Sequence, residues 1–131
     1  MLLVRKWRWK RRKKYIDKNL VLKATEVILN EQLYLDPALK CSDVAAKIGT
    51  NRTYLWSALS ERGFGFQDYL SKFRIRYFIQ HAGTFKDIKG HEIAEICGFN
   101  SPKSMNKYLK EMMGITLLDY MRRIEKIPCV T

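Results

Sequence analysis

The chain repeats itself at a fixed interval. Ala45 and Ala94 lie 49 residues apart, as do Gly49 and Gly98. Leu55 and Met105 lie 50 apart, as do Leu59 and Leu109. Gly63 and Gly114 lie 51 apart, as do the pairs Asp68-Tyr69 and Asp119-Tyr120. Matched spacings at such a period mean that one supersecondary unit is used twice. The residue types define the unit. A small side chain (Ala45, Ala94) lets a second helix approach the first, and a glycine (Gly49, Gly98) permits the positive φ of a sharp turn. An i, i+4 apolar pair (Leu55 with Leu59, Met105 with Leu109) holds the second helix on a core. Two closely crossing helices joined by a short turn make a helix-turn-helix. The free face of its second helix fits a DNA major groove. The competing reading is a plain helical bundle in which Ala and Gly serve packing alone; the second matched copy argues against it.

The punctuation around the repeat predicts the other elements. Leu20, Ala24, Val27, Ile28 and Leu33 recur at helical spacing, so a helix is expected from about Asn19 to Leu33, ended before Asp36-Pro37. A short helix through Asp43–Ile48 ends at Gly49, and Asn51 caps the next, Arg52 to Glu61. Gly63 and Gly65 break that helix. A long helix follows from Phe66 to His81, with Tyr69, Leu70, Phe73, Ile75, Phe78 and Ile79 as buried candidates, and then a loop over Gly83–Gly90. The pattern restarts with His91–Cys97. Ser101 then caps a helix opened by Pro102, whose missing N–H costs nothing there; it runs to about Met112, where Gly114 stops it. A last helix spans Leu117 to Ile124. The expected fold is all-α, with about seven helices and two helix-turn-helix units joined by the long one. Residues 1–18 read as a basic lead segment, 19–127 as the domain and 128–131 as a tail.

Charge points to the class of partner. The net charge is +12, which favours a polyanion: nucleic acid or an anionic membrane surface. Eight of the basic residues fall in residues 5–14, interleaved with Trp7 and Trp9; the remaining positions hold 17 basic and 13 acidic residues. Three readings of the lead segment stay open. It is a solvated arm, a contact to DNA phosphate with strong salt dependence, or the cytoplasmic flank of a membrane helix absent from this chain. Trp beside Lys/Arg suits a membrane boundary, and Met1-Leu2-Leu3-Val4 would then end the apolar span.

Other chemistries find little support. Cys41, Cys97 and Cys129 are an odd set without paired spacing, so no disulfide framework is expected. His81 and His91 sit in no zinc pattern, and neither metal nor cofactor is expected. No stretch reaches the ~20 apolar residues of a membrane span, and apolar residues before the basic run are the wrong order for a signal peptide. The expected location is cytoplasmic, tethered at the inner membrane face if the chain is a fragment. There is no Gly-rich phosphate loop, nucleophile motif or acid–base carboxylate pair, since Glu92 and Glu95 read as the solvent face of their helix. An enzyme is not expected.

At these residues the chain resembles the AraC/XylS family of bacterial transcription regulators, over about Leu39 to Ile124. Glu92-Ile93-Ala94-Glu95-Ile96-Cys97-Gly98-Phe99-Asn100-Ser101 looks like the family's I-A-x-x-x-G-F-x-S. Gly114-Ile115-Thr116 followed by Asp119-Tyr120 looks like its closing G-x-T-P-x-x-Y-R, and Gly49-Thr50-Asn51-Arg52-Thr53-Tyr54-Leu55 is similar to G-x-S-x-x-Y-L. The Asn-Arg-Thr-Tyr-Leu form resembles members from Bacteroides-like bacteria. The chain departs from the pattern at Leu117, where Pro is usual, at Met121, where Arg is usual, and at Leu59, often a bulky aromatic. Ser57 and Lys107 stand where the family often reads bases with Arg.

The resemblance implies sequence-specific binding of double-stranded DNA, with RNA polymerase as a further partner and with two recognition helices in successive major grooves. The groove-facing candidates it maps are Arg52, Thr53, Trp56 and Ser57 in the first unit and Lys103, Asn106 and Lys107 in the second, with Ala45, Gly49, Ala94 and Gly98 as the scaffold of the turns. Amide and ammonium groups match base-edge acceptors. Trp56 reads either as an aromatic packed on the N-terminal helix or as an apolar contact to a thymine methyl or sugar. Arg74 and Arg76 reach phosphate or, the preferred reading, pair with acids. The alternative function is a membrane-surface or protein-interaction module that keeps the fold and binds DNA only nonspecifically.

Overall fold

Each turn glycine closes a helix by the same two backbone hydrogen bonds. The computed structural model describes residues 19–125; the basic lead segment and the C-terminal tail, with Cys129, lie outside the described residues. Among them are seven α-helices, two short 3-10 turns and no strand, so the all-α expectation holds. α1 covers residues 19–30. It is followed by a 3-10 turn at Leu33–Leu35, then α2 (Cys41–Lys47), α3 (Arg52–Glu61) and α4 (Phe66–His81). A second 3-10 turn at Ala82–Phe85 precedes α5 (Gly90–Ile96), α6 (Pro102–Met113) and α7 (Leu117–Glu125).

The repeat is visible at the level of single bonds. At the end of α2, Thr50 N–H donates to Ala45 O (2.9 Å) and Gly49 N–H to Ala46 O (3.3 Å). At the end of α5, Phe99 N–H donates to Ala94 O (2.8 Å) and Gly98 N–H to Glu95 O (3.0 Å). This is the Schellman closure, which needs a left-handed residue at its glycine; φ is +76° at Gly49 and +92° at Gly98. Both following helices are then capped as expected. Asn51 Oδ1 accepts from Tyr54 N–H (3.0 Å) and Ser101 Oγ from Ser104 N–H (3.2 Å). The turn from Gly98 to its cap is one residue longer than the turn from Gly49, and α6 is longer than α3. Those two insertions account for the drift of the repeat from 49 to 51.

The chain forms two compact units, each with its own core. The described part of the first is residues 19–33 and 39–69. There Leu20, Val21, Ala24 and Ile28 of α1, Val44 and Ala45 of α2, and Leu55, Ala58 and Leu59 of α3 are buried. Tyr69 at the start of α4 ties to α1: Thr25 donates its only proton to Val21 O (2.7 Å), so the Tyr69 hydroxyl must donate to Thr25 Oγ1. The described part of the second unit is residues 34–38 and 70–125. Its core joins Ile75 and Phe78 of α4, Phe85, Ile93, Ala94, Cys97 and Phe99, Met105 and Leu109 of α6, and Leu117 and Met121 of α7. Full burial of such side chains contributes about 1.5–3 kcal/mol each.

Three sequence expectations are corrected. The first helix stops at residue 30 rather than at Leu33, because Gln32 takes a positive φ of 52° and the chain tightens into the 3-10 turn that buries Tyr34. The loop expected at Gly83–Gly90 begins as the second 3-10 turn, with Ala82 and Phe85 buried. Ile79 is 39% exposed, since α4 turns Ser71, Arg74, Ile75 and Phe78 inward instead.

Candidate nucleic-acid interface

Burial of Leu55, Ala58 and Leu59 fixes which face of α3 looks outward, and burial of Met105 and Leu109 does the same for α6. Both helices start from a capped turn, so the register of the outward face follows from the cap. In α3 the candidates Arg52, Thr53 and Trp56 are exposed and Ser57 is half-buried. In α6, Lys103 and Lys107 are exposed and Asn106 is half-buried. The two faces correspond position by position but differ in chemistry. Thr53, Ser57 and Ser60 line one stripe of α3, and Lys103, Lys107 and Lys110 line the same stripe of α6. Lys110 is exposed and was missed among the sequence candidates; its i+7 relation to Lys103 is the signal that identifies it.

The charges divide likewise. The described part of the first unit has five basic residues and five acids, and that of the second has ten and seven. In the first unit Lys47 is paired with Glu31 at 3.1 Å. The attraction for a polyanion among the described residues therefore resides in the second unit.

Local partners set what each candidate offers. The Arg52 guanidinium lies over the Trp56 ring, 5.5 Å from its centroid, and Trp56 stays 47% exposed. The Lys107 ammonium lies 5.1 Å from the Tyr108 ring centroid. Asn106 has a structural bond: its Oδ1 accepts from Leu117 N–H at 2.8 Å. Leu117 is the first residue of α7, where Pro would bring no N–H to satisfy. With Leu there the N–H exists, and Asn106 accepts it. The Asn106 amide nitrogen is what remains to face a ligand. Ala45, Ala94 and Gly98 are buried in the turns, and Gly49 is exposed.

Arg74 is turned inward rather than toward a ligand. It is 3% exposed, which removes it from reach of phosphate. Its Nε donates to Tyr34 O (2.6 Å) and its Nη2 to Asp36 O (3.1 Å), so two backbone carbonyls help to hold it, and the Asp36 charge favours its charged form. It also lies 5.7 Å from the Phe99 ring centroid. Burial draws its pKa from 12.5 down to about 10, which leaves it charged at neutral pH. Arg76, by contrast, is exposed. Glu92 and Glu95 are both exposed, on the solvent face of α5. No helix among the described residues is long and apolar enough to cross a membrane.

A pair of capped, glycine-turned helix-turn-helix units, each backed by its own apolar core, defines a double helix-turn-helix domain. Two solved structures have this fold. One is the C-terminal domain of the two-component response regulator yesN from Fusobacterium nucleatum, at TM-score 0.57 and 29% identity, covering 75% of this chain and 97% of that one. The other is the C-terminal domain of AraT, a response regulator from Geobacillus stearothermophilus, at TM-score 0.55 and 23% identity, covering 93% of this chain and 88% of that one. No protein-family model and no curated protein matches the chain. The likeness to the yesN domain supports the resemblance to AraC/XylS-type domains drawn from the sequence.

Proposed function

We propose that the chain binds double-stranded DNA in a sequence-specific manner and regulates transcription. In this reading α3 and α6 enter successive major grooves on one face of the duplex, which B-DNA spaces at ~34 Å, and α6 is the stronger reader. The observation that carries it is the face of α6: Lys103, Lys107 and Lys110 stand exposed in one stripe on a helix held by a Ser101 cap and by buried Met105 and Leu109. Lysine ammonium groups donate to guanine O6 and N7 or to phosphate. The yesN and AraT structures support the same reading, since both are named as domains of response regulators.

The test is selection of bound duplexes from a random pool, followed by competition with excess random DNA. A regulator of this kind keeps its preferred site under competition; equal affinity for all duplexes refutes specific readout and leaves the nonspecific module. Lys107→Ala is expected to weaken the selected site by about 1–3 kcal/mol if Lys107 meets a base edge.

A further inference from the structure

α3 presents an apolar ring where α6 presents an amide. Trp56 holds the same place in its helix as Asn106, four residues after the helix's first residue. It is 47% exposed, an unusual state for the largest apolar side chain in a small domain. The ring is not loose, because the Arg52 guanidinium covers it. Beside it, the short side chains of Thr53 and Ser57 leave a hollow of about 220 Å³, lined by Arg52, Thr53, Trp56 and Ser57. The stripe Thr53–Ser57–Ser60 carries hydroxyls alone, so the ammonium pairing with guanine available to α6 is absent from this part of α3. The surrounding unit has no net charge over its described residues.

The major groove displays one apolar group, the methyl at C5 of a pyrimidine. We infer that Trp56 is the specificity determinant of the first unit and reads a pyrimidine C5-methyl group, seated in the hollow beside its ring. The inference rests on the proposed entry of α3 into a major groove and adds what α3 selects there. The same methyl occurs on thymine and on 5-methylcytosine, so a site read this way accepts either base at that position. The two recognition helices then divide the work: α6 reads by hydrogen bonding with cations, and α3 reads by apolar contact flanked by hydroxyls.

The test uses the full chain and the duplex selected from a random pool. Each thymine of that duplex is replaced in turn by uracil, which removes the methyl and keeps the hydrogen-bonding edge. At one position, binding should weaken about fourfold, the factor that ~0.8 kcal/mol for one buried carbon represents. Placing a cytosine pair there, 5-methylcytosine should bind better than cytosine by a similar factor. Trp56→Ala should bind the thymine and uracil duplexes alike, while Lys107→Ala keeps the discrimination. The base replacement leaves the protein untouched, and a thermal melt confirms that Trp56→Ala folds. Equal binding of all uracil-substituted duplexes by the unaltered protein overturns the inference, as does discrimination that survives in Trp56→Ala. In both cases a selected site remains, so the proposed function stands. Absence of any preferred duplex overturns both.

Discussion

Gly49 and Gly98 occupy matched turns, yet alanine at the two positions should have very different consequences. At Gly49, φ is +76° and a Cβ would meet nothing within 4 Å. Only the left-handed conformation is then at issue, which costs an L-residue about 1–2 kcal/mol. The reduced freedom of the unfolded chain offsets about 0.4–1 kcal/mol of that, so Gly49→Ala should cost ~1 kcal/mol. At Gly98, φ is +92°, and a Cβ would collide with the Tyr34 carbonyl oxygen while lying 2.9 Å from Arg74 Nε and 3.0 Å from Leu35 Cα. The 3-10 turn and the guanidinium must move, and the two Arg74 hydrogen bonds to Tyr34 O and Asp36 O go with them. Hydrogen bonds to a charged group are worth about 1.5–3 kcal/mol each. Gly98→Ala should therefore cost ~4 kcal/mol or more, a large part of the 5–15 kcal/mol typical of folded proteins. Urea unfolding followed by circular dichroism measures both. Asparagine, which tolerates the left-handed region, should be milder than alanine at Gly49 but no milder at Gly98, where the Cβ itself is the problem. If Gly98→Ala lies within 1 kcal/mol of Gly49→Ala, the packing at the second turn does not have the energetic meaning assigned to it.

Two further outcomes follow from single side chains. Asn106→Ala removes the acceptor for Leu117 N–H and should destabilise by ~1 kcal/mol in thermal melts. Asn106→Asp keeps the acceptor and places a favourable charge at the start of α7, so it should preserve stability while weakening DNA binding by repulsion from phosphate; equal loss in both properties would refute the separation. The Cys97 thiol is pushed up to about 12 by burial, from an ordinary 9.0, so at pH 8 its thiolate is scarcer by roughly a thousandfold. In a Cys129→Ser background, a thiol reagent at pH 8 should label Cys97 slowly in the folded protein and quickly in urea, and fast labelling without denaturant would contradict the burial.

The order and nature of the helices were legible because their signals are local. A cap at Asn51 or Ser101, a left-handed glycine at 49 or 98 and an i, i+4 apolar pair all act within a turn or two of chain. The helix Phe66–His81 matches its expected bounds for this reason. The resemblance mapped Arg52, Thr53, Trp56, Lys103 and Lys107 onto the second helix of each unit, and these side chains are exposed; the i+7 spacing from Lys103 reaches Lys110.

What the residue pattern could not determine depends on partners distant in the chain. Arg74 bonds a carbonyl 40 residues away, and Asn106 accepts from an N–H 11 residues away. Nothing beside Arg74 in sequence announces that it will be buried. Nothing beside Asn106 announces that the backbone N–H of Leu117, where Pro is usual, will come to it. So the sequence alone determined two copies of one helix-turn-helix unit, with their caps, turns and outward faces, because bonds within a few residues enforce them. The tertiary structure alone decided that the two turns are packed differently. One turn glycine lies in open space and the other is walled in by Tyr34 and Arg74, because close packing, unlike capping, depends on which distant segment arrives.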